Sequence, residues 1–270
     1  MCTMTASSRN RRRSALAVKL TRFTFVLGVL LCCCLPSWAT TETFLQTYPL
    51  AAGGSFRLEN INGSVRVEGW QRDEVEVRAT KTSASDPRDA DRVKIEVSSQ
   101  PDAVAVRTRY PEGTGVEVAV EYVVHVPYRA LLGSVETVNG SVVVHGVEGG
   151  GDLRSVNGDV QVLDSSGRFS AKTTNGNLRL QLRELVDGDP MNIETVNGSV
   201  VLSLPSDAHA DLKILSMNGD FSSELPVTST EGTPAARAFR ARLGHGSGGG
   251  QISVRTVNGA IRLVVERPGV

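Results

Sequence analysis

Four histidines, His125, His145, His209 and His245, are the residues of this chain best suited to proton transfer or metal ligation near neutral pH. They are far apart in sequence, and none falls in a ligand spacing such as His-Glu-x-x-His. They read as surface or turn histidines, with His245 singled out because it sits in the glycine-rich segment 244–250. That segment resembles a phosphate cradle only superficially, since it lacks the Lys-Ser/Thr ending and a following helix. Paired carboxylates could cleave a glycosidic bond if two met at the right separation. Asp159 and Asp220 hold equivalent places in a repeat, but Ser141, Asn177, Ser199 and Ala260 hold the same place in other copies. They therefore read as interchangeable turn residues. All four cysteines, Cys2, Cys32, Cys33 and Cys34, lie before residue 40, so the rest of the chain has no thiol nucleophile, disulfide or cysteine metal site. The reading expects no catalytic residue, no cofactor and no metal.

The elements that would position any site begin after the N-terminal segment. Arg9, Arg11, Arg12, Arg13, Lys19 and Arg22 open the chain with no acidic residue among them. An apolar run from Phe23 to Leu35 follows, then Pro36 and the small-residue pattern Ser37-Trp38-Ala39. This is the layout of a secretory signal peptide over residues 1–39, cut between Ala39 and Thr40. The apolar run is shorter than the roughly 20 residues a spanning helix needs. Leu31 precedes Cys32 where a lipoprotein signal favours Gly, Ala or Ser. The full chain carries 29 basic and 29 acidic residues, and losing the six basic ones leaves 23 against 29. A mildly acidic mature chain has no electrostatic case for binding nucleic acid or anionic lipid. No later stretch is long and apolar enough to span a membrane as a helix.

The organising signal is a repeat. Asn-Gly occurs at Asn62-Gly63, Asn139-Gly140, Asn157-Gly158, Asn175-Gly176, Asn197-Gly198, Asn218-Gly219 and Asn258-Gly259. From Asn139 the intervals are 18, 18, 22, 21 and 40, the last reading as two periods with one turn missing. Three residues past the last six Asn stand Val142, Val160, Leu178, Val200, Phe221 and Ile261. Five past stand Val144, Val162, Leu180, Leu202, Ser223 and Leu263. The residue between is mostly polar, as at Gln161, Arg179 and Arg262. Alternation with period two on both sides of a turn means strand, turn, strand, with one face buried.

Two arrangements satisfy that pattern. Gly enters positive φ freely and Asn tolerates it, so Asn-Gly suits a type I′ hairpin turn, with Gly176 at positive φ. In a coil of parallel rungs, stacked asparagine amides could instead bond in a ladder, with the Thr or Ser two places before each Asn stacking likewise. The sequence leaves both open: an all-β, β-solenoid-like stack of ~20-residue repeats, or a meander or sandwich of hairpins. The Asn-Gly-Ser sequons at Asn62, Asn139 and Asn197 are accounted for by the turns.

Residues 40–128 are expected to form an N-terminal antiparallel β region that caps the stack, with turns at Asp86-Pro87 and Gln100-Pro101-Asp102. Residues 129–270 form the repeat region, continuous with the first, and 226–250 is read as a loop insertion, where Ala235–Leu243 could be helix or strand. Trp70 is the only tryptophan after the signal segment, which argues against an aromatic platform for sugars or bases.

The His-Val-Pro lead-in at His125–Pro127, the Val-Glu-Thr-Val-Asn-Gly-Ser-Val repeats, the glycine-rich loop and the closing Ile-Ser-Val-Arg-Thr-Val-Asn-Gly-Ala-Ile-Arg-Leu resemble the DUF4097 family over residues 50–265. The resemblance implies an exported or envelope-associated bacterial protein of adhesin-like name, without catalytic residues to carry over. It also implies a periplasmic or surface location and an envelope protein or glycan as partner. Outward residues Gln161, Arg179 and Arg262 are the expected contact face. A carbohydrate-active enzyme and an accessory of envelope-stress sensing are the alternatives. N-terminal sequencing of the exported protein should begin at Thr40; any earlier start contradicts the cleavage assignment.

Overall fold

The computed structural model describes residues 41–266 except 85, 114, 187, 189, 234–236 and 245–248. Residues 1–40, which hold the expected signal peptide with Ala39, Thr40 and all four cysteines, lie outside the described residues, as does His245.

The strands in the first half are β1 (Thr41–Pro49), β2 (Ser55–Glu59), β3 (Val65–Trp70), β4 (Glu74–Ser83), β5 (Lys94–Gln100), β6 (Ala103–Arg109), β7 (Val118–Pro127), β8 (Leu131–Asn139) and β9 (Val142–His145). One short helix, α1 (Pro87–Arg92), precedes β5. The repeats continue as β10 (Gly151–Asn157), β11 (Val160–Ser166), β12 (Phe169–Asn175), β13 (Leu178–Glu184), β14 (Met191–Asn197) and β15 (Val200–Leu204). The chain closes with β16 (Ala210–Asn218), β17 (Phe221–Ser223), β18 (Val227–Glu231), β19 (Ala238–Leu243), β20 (Gly250–Asn258) and β21 (Ile261–Val265).

These strands make two sheets. The first runs β1-β4-β7-β3-β9-β11-β13-β15-β21-β17, the second β18-β19-β16-β20-β14-β12-β10-β8-β2-β6-β5. Each Asn-Gly corner carries the chain out of the second sheet and into the first, as from β8 to β9 and from β10 to β11. Successive repeats then pair in parallel, Asn opposite Asn. The fold is a β-solenoid-like coil, and the hairpin arrangement is excluded, because the two strands flanking each corner belong to different sheets.

The period-two pattern accounts for the interior. Val67, Val144, Val162, Leu180, Leu202 and Leu263 point inward from the first sheet, facing Leu58, Val135, Leu153, Ala171, Ile193, Val254 and Ile214 from the second, all buried. No single rung could bury its row alone, since its neighbours form the walls. Each fully buried Val or Leu contributes about 1.5–3 kcal/mol relative to exposure.

Three expectations need correction. The 40-residue interval is not a missing turn. After β17 the chain forms the antiparallel pair β18–β19, then returns to insert β20 and β21 between the β14/β15 rung and the β16/β17 rung. The Asn-Gly corner at Asn258 thus lies between those at Asn197 and Asn218. Residues 226–250 are correspondingly not a loop insertion. They hold a two-stranded flap in which Ala238–Leu243 is a strand, its alternation placing Phe239, Ala241 and Leu243 inward. Phe239 meets Phe221 edge-on at 4.9 Å and closes that end of the interior.

At the other end, parallel pairing reaches further toward the N-terminus than residue 129, because β2 with β3 and β6 with β7 are rungs of the same stack. The β6/β7 rung is likewise inserted late, between the β2/β3 rung and the outer strands. The antiparallel cap consists of β1 and β4 on one sheet and β5 on the other. The Asp86-Pro87 turn opens a helical turn: the Asp86 side chain accepts from the Arg88 amide, and those bonds with Arg88 hold its carboxyl below the ordinary range. Buried Lys81 is held by Glu42 at 3.1 Å and by the Ala90 carbonyl at 3.3 Å.

Candidate functional site

The recurring Thr/Ser-x-Asn-Gly tetrapeptide builds one continuous feature, and each residue in it has a separate task. Each corner Asn after Asn62 donates its amide to the Oδ1 of its neighbour: Asn139 to Asn62 at 2.8 Å, Asn157 to Asn139 at 2.9 Å, Asn175 to Asn157 at 2.8 Å and Asn197 to Asn175 at 2.8 Å. Asn258 continues to Asn197 at 2.7 Å and Asn218 to Asn258 at 2.9 Å. The seven side chains form a rail of uniform polarity along the stack. Beneath it, the hydroxyls of Thr137, Ser155, Thr173, Thr195 and Thr256 donate to the glycine carbonyl of the rung before, at 2.8–3.0 Å.

The glycines are needed for approach more than for conformation. No corner Asn has positive φ, and neither does Gly176; Asp164 at 46° is the one described non-glycine residue there. The type I′ turn is therefore not formed, because the chain crosses between sheets instead of doubling back. A Cβ on Gly176 would lie 2.2 Å from the Gly158 carbonyl oxygen, and on Gly198 1.9 Å from that of Gly176. The same holds for Gly140, Gly158, Gly219 and Gly259, each against the glycine before it in the stack. Gly63, with φ of 118°, meets Val120 instead. Each inner corner N–H is satisfied by the next Asn carbonyl, as from Gly158 to Asn175 at 3.0 Å.

The rail ends differently at its two ends. Near Asn62, the β6/β7 rung has no Asn-Gly corner, and Asn60 fills the space: its amide donates to Val120 at 2.9 Å and Gly63 at 3.1 Å, and its Oδ1 accepts from Thr108 at 3.0 Å. Thr108 also shares a 2.8 Å hydrogen bond with the Tyr122 hydroxyl. Burial pushes the Tyr122 phenol up to about 12. The Tyr110 hydroxyl donates to Val118 at 2.9 Å and lies within hydrogen-bond reach of Asn62; its pKa is raised, burial outweighing those bonds. At the far end, among the described residues, the Asn218-Gly219 corner has no further rung beyond it.

The residue before each corner Asn faces outward, and it is apolar at every corner but Thr174. In stack order Ile61, Val138, Val156, Thr174, Val196, Val257 and Met217 make a ridge beside the rail, with Ile61, Val138, Val156, Val196 and Met217 each about 40% exposed. Next to the ridge runs a charged row whose members neutralise one another across strands: Glu59 with Arg107, Glu136 with Arg154 at 3.0 Å, and Glu194 with Lys172 at 3.3 Å. Ridge and row together line a shallow open groove of about 500 Å³ that begins at Tyr110 and Arg107 and runs to Lys172 and Thr174. Sequence reasoning passed over this ridge, although its period-two position relative to the buried Thr marks it as outward.

The other expected residues are scattered. Gln161, Arg179 and Arg262 do share an outward row, on the first sheet, interleaved with Val143 and Val201. Asp159 and Asp220 are separated by four rung steps, with Asn177, Ser199 and Ala260 between them. At ~4.8 Å per step that is roughly 19 Å, far beyond the roughly 5–9.5 Å of glycosidase pairs. His125 stacks on Trp70 at 5.1 Å, with Glu68 and Glu76 at 3.3 and 3.5 Å from its two nitrogens. Among the described residues, no three His, Cys, Asp or Glu side chains converge as metal ligands.

A two-sheet parallel coil with a shared corner rail defines a β-solenoid-like protein. The chain belongs to the Toastrack DUF4097 family, whose profile matches residues 52–264. None of the curated proteins matches it. Among solved structures it is similar to a candidate cell adhesion protein from Clostridium sporogenes, at 11% identity over 84% of this chain and 99% of that one, with a TM-score of 0.48. It is also similar to a candidate adhesin from Bacteroides fragilis, at 9% identity over 83% and 97% of the two chains, with a TM-score of 0.35. These likenesses assign neither activity nor ligand to this chain.

Two outcomes follow from the corner geometry. Gly176→Val should destabilise the protein by about 1–3 kcal/mol, because the new side chain must displace a backbone carbonyl; an unchanged melting curve would contradict the close approach. Tyr122 keeps its proton in the fold to about pH 12, whereas in the unfolded chain it ionises near pH ~10. Its contribution is therefore complete below pH ~10 and is lost as pH rises toward 12. Urea titrations across that window should show stability falling, and Tyr122→Phe should flatten the fall; an equally steep fall in the variant would contradict this.

Proposed function

We propose that this chain is a non-catalytic interaction protein of the bacterial cell envelope, exported by its N-terminal segment, that holds a protein partner along the outer face of the second sheet. The observation that carries this reading is the ridge. Ile61, Val138, Val156, Val196 and Met217 stay exposed while the inward positions of the same strands are buried, apolar except for the Thr/Ser row that bonds the corner carbonyls. Contiguous exposed apolar surface on a rigid scaffold marks interaction sites. The neighbouring charges are already paired, so an incoming apolar surface would not have to strip bare ions of water.

A protein partner fits better than a glycan. Trp70, the aromatic group best suited to stack on a sugar ring, lies on the other sheet, covered by His125 on one side and Arg72 at 4.7 Å. The ridge offers branched aliphatic side chains instead. The carbohydrate-active alternative loses its best carboxylate pair to the three rungs that lie between Asp159 and Asp220. Membership of the Toastrack DUF4097 family is compatible with this reading and names no reaction.

The test uses photo-crosslinking residues in intact cells, placed at Val156 on the ridge and at Arg179 on the opposite sheet. Recovery of a discrete protein adduct from position 156 and none from 179 is the expected result. Adducts from 179 alone, or glycan adducts at 156, would overturn the proposal.

A further inference from the structure

We infer that Asn218-Gly219 is a self-modification site: it deamidates through a succinimide to aspartate and isoaspartate in the folded protein, while the other six Asn-Gly corners are protected. Asn-Gly is chemically predisposed to this reaction because glycine leaves its own amide nitrogen sterically open. The Gly219 nitrogen loses its proton and attacks Cγ of Asn218. A C–N bond closes the five-membered imide, and the carboxamide nitrogen leaves as ammonia. Water then opens the imide at either carbonyl, giving aspartate or isoaspartate with no oxidant or reductant required.

The stack withholds both reactants at the inner corners. The nucleophilic N–H groups of Gly63, Gly140, Gly158, Gly176, Gly198 and Gly259 are each bonded to the carbonyl of the next corner Asn, at 2.8–3.1 Å. The preceding Asn side chain must also rotate to bring Cγ onto that nitrogen, and each inner rail member accepts a hydrogen bond that rotation would break. Removing a buried or bonded amide proton is harder than removing a solvated one.

Asn218-Gly219 escapes both restraints, and the one bond on its side chain is the amide's donation to Asn258 at 2.9 Å. It stands at the last rung, because the late insertion of β20 and β21 put Asn258 inside it. Among the described residues, Gly219 N–H has no acceptor and Asn218 Oδ1 no donor. Gly219 is also the one corner glycine that is exposed, the other six being half-buried. The flap strand β19 covers β16 only as far as Leu215 in its ladder, with one further bond from Ser216 to Arg237, and stops short of the corner. The modification is therefore confined to the open end. There it replaces an amide donor to Asn258 with a carboxylate beside Asp220 and leaves the inner rail untouched.

Peptide mapping that separates aspartate from isoaspartate tests this on the purified protein carrying all seven corners, held folded at mildly alkaline pH, with a urea-unfolded sample in parallel. The folded sample should accumulate product at residue 218 about tenfold or more faster than at any other corner, the factor that corresponds to one retained backbone hydrogen bond. The unfolded sample should react at all seven. Equal rates across the seven corners in the folded protein, faster reaction at an inner corner, or reaction at 218 only after unfolding would each overturn the inference. Asn218→Gln, which removes the reactive side-chain length but keeps an amide, should abolish early product without changing the mapping elsewhere.

Discussion

The structure depends on how close one rung's corner comes to the next. At six of the seven Asn-Gly corners the backbone of one repeat lies on the glycine carbonyl of its neighbour, in the space a side chain would occupy, and at Gly63 the Val120 carbonyl takes that place. That contact fixes the rung spacing at one hydrogen bond, and the rest follows from it. The Asn side chains fall at amide-to-amide distance, the Thr and Ser hydroxyls reach the carbonyl below, and the inward Val and Leu rows stack in register. Any other residue at the corner pushes two rungs apart and disturbs all three sets at once. Stability in such an array is shared between neighbours, so the tetrapeptide recurs with little variation while the strand faces vary freely.

Much of this was legible in the residues, and the exceptions have physical causes. The alternation around Leu178–Leu180 and Val200–Leu202 identified the buried face because period two admits one assignment once a side is apolar. The choice between hairpin and rung stayed open because Asn-Gly serves both, and only the partner of each strand decides. Gly176 was expected at positive φ, the usual reason for glycine in a turn; the requirement is tertiary, set by the backbone of the neighbouring rung, which the local sequence cannot reveal. The late insertion of β20 and β21 was invisible for the same reason. Parallel rungs with identical corner motifs do not encode their order, and the 40-residue gap looks alike whether a rung is missing or displaced.

The surface was harder to read than the core. Val138, Val156 and Val196 are of the same residue type as the buried Val142, Val160 and Val200 just past each corner, so their exposure emerges only from position relative to the buried Thr137, Ser155 and Thr195. Asp159 and Asp220 illustrate the opposite error, where equivalence in a repeat suggests proximity although the stack separates them. Histidines scattered in sequence also proved informative when placed: His125 lies between Glu68 and Glu76 on adjacent strands, a relation created by pairing and not by spacing.

Amide hydrogen exchange resolved to single residues examines the corner contact most directly. The account predicts that the N–H groups of Gly140, Gly158, Gly176 and Gly198 exchange only through opening of the stack, with protection close to that of the buried strands, although each lies at the surface in an apparent turn. Exchange of those four amides at the rate of an unstructured glycine would show that the rungs do not rest on one another there, and the account would fail.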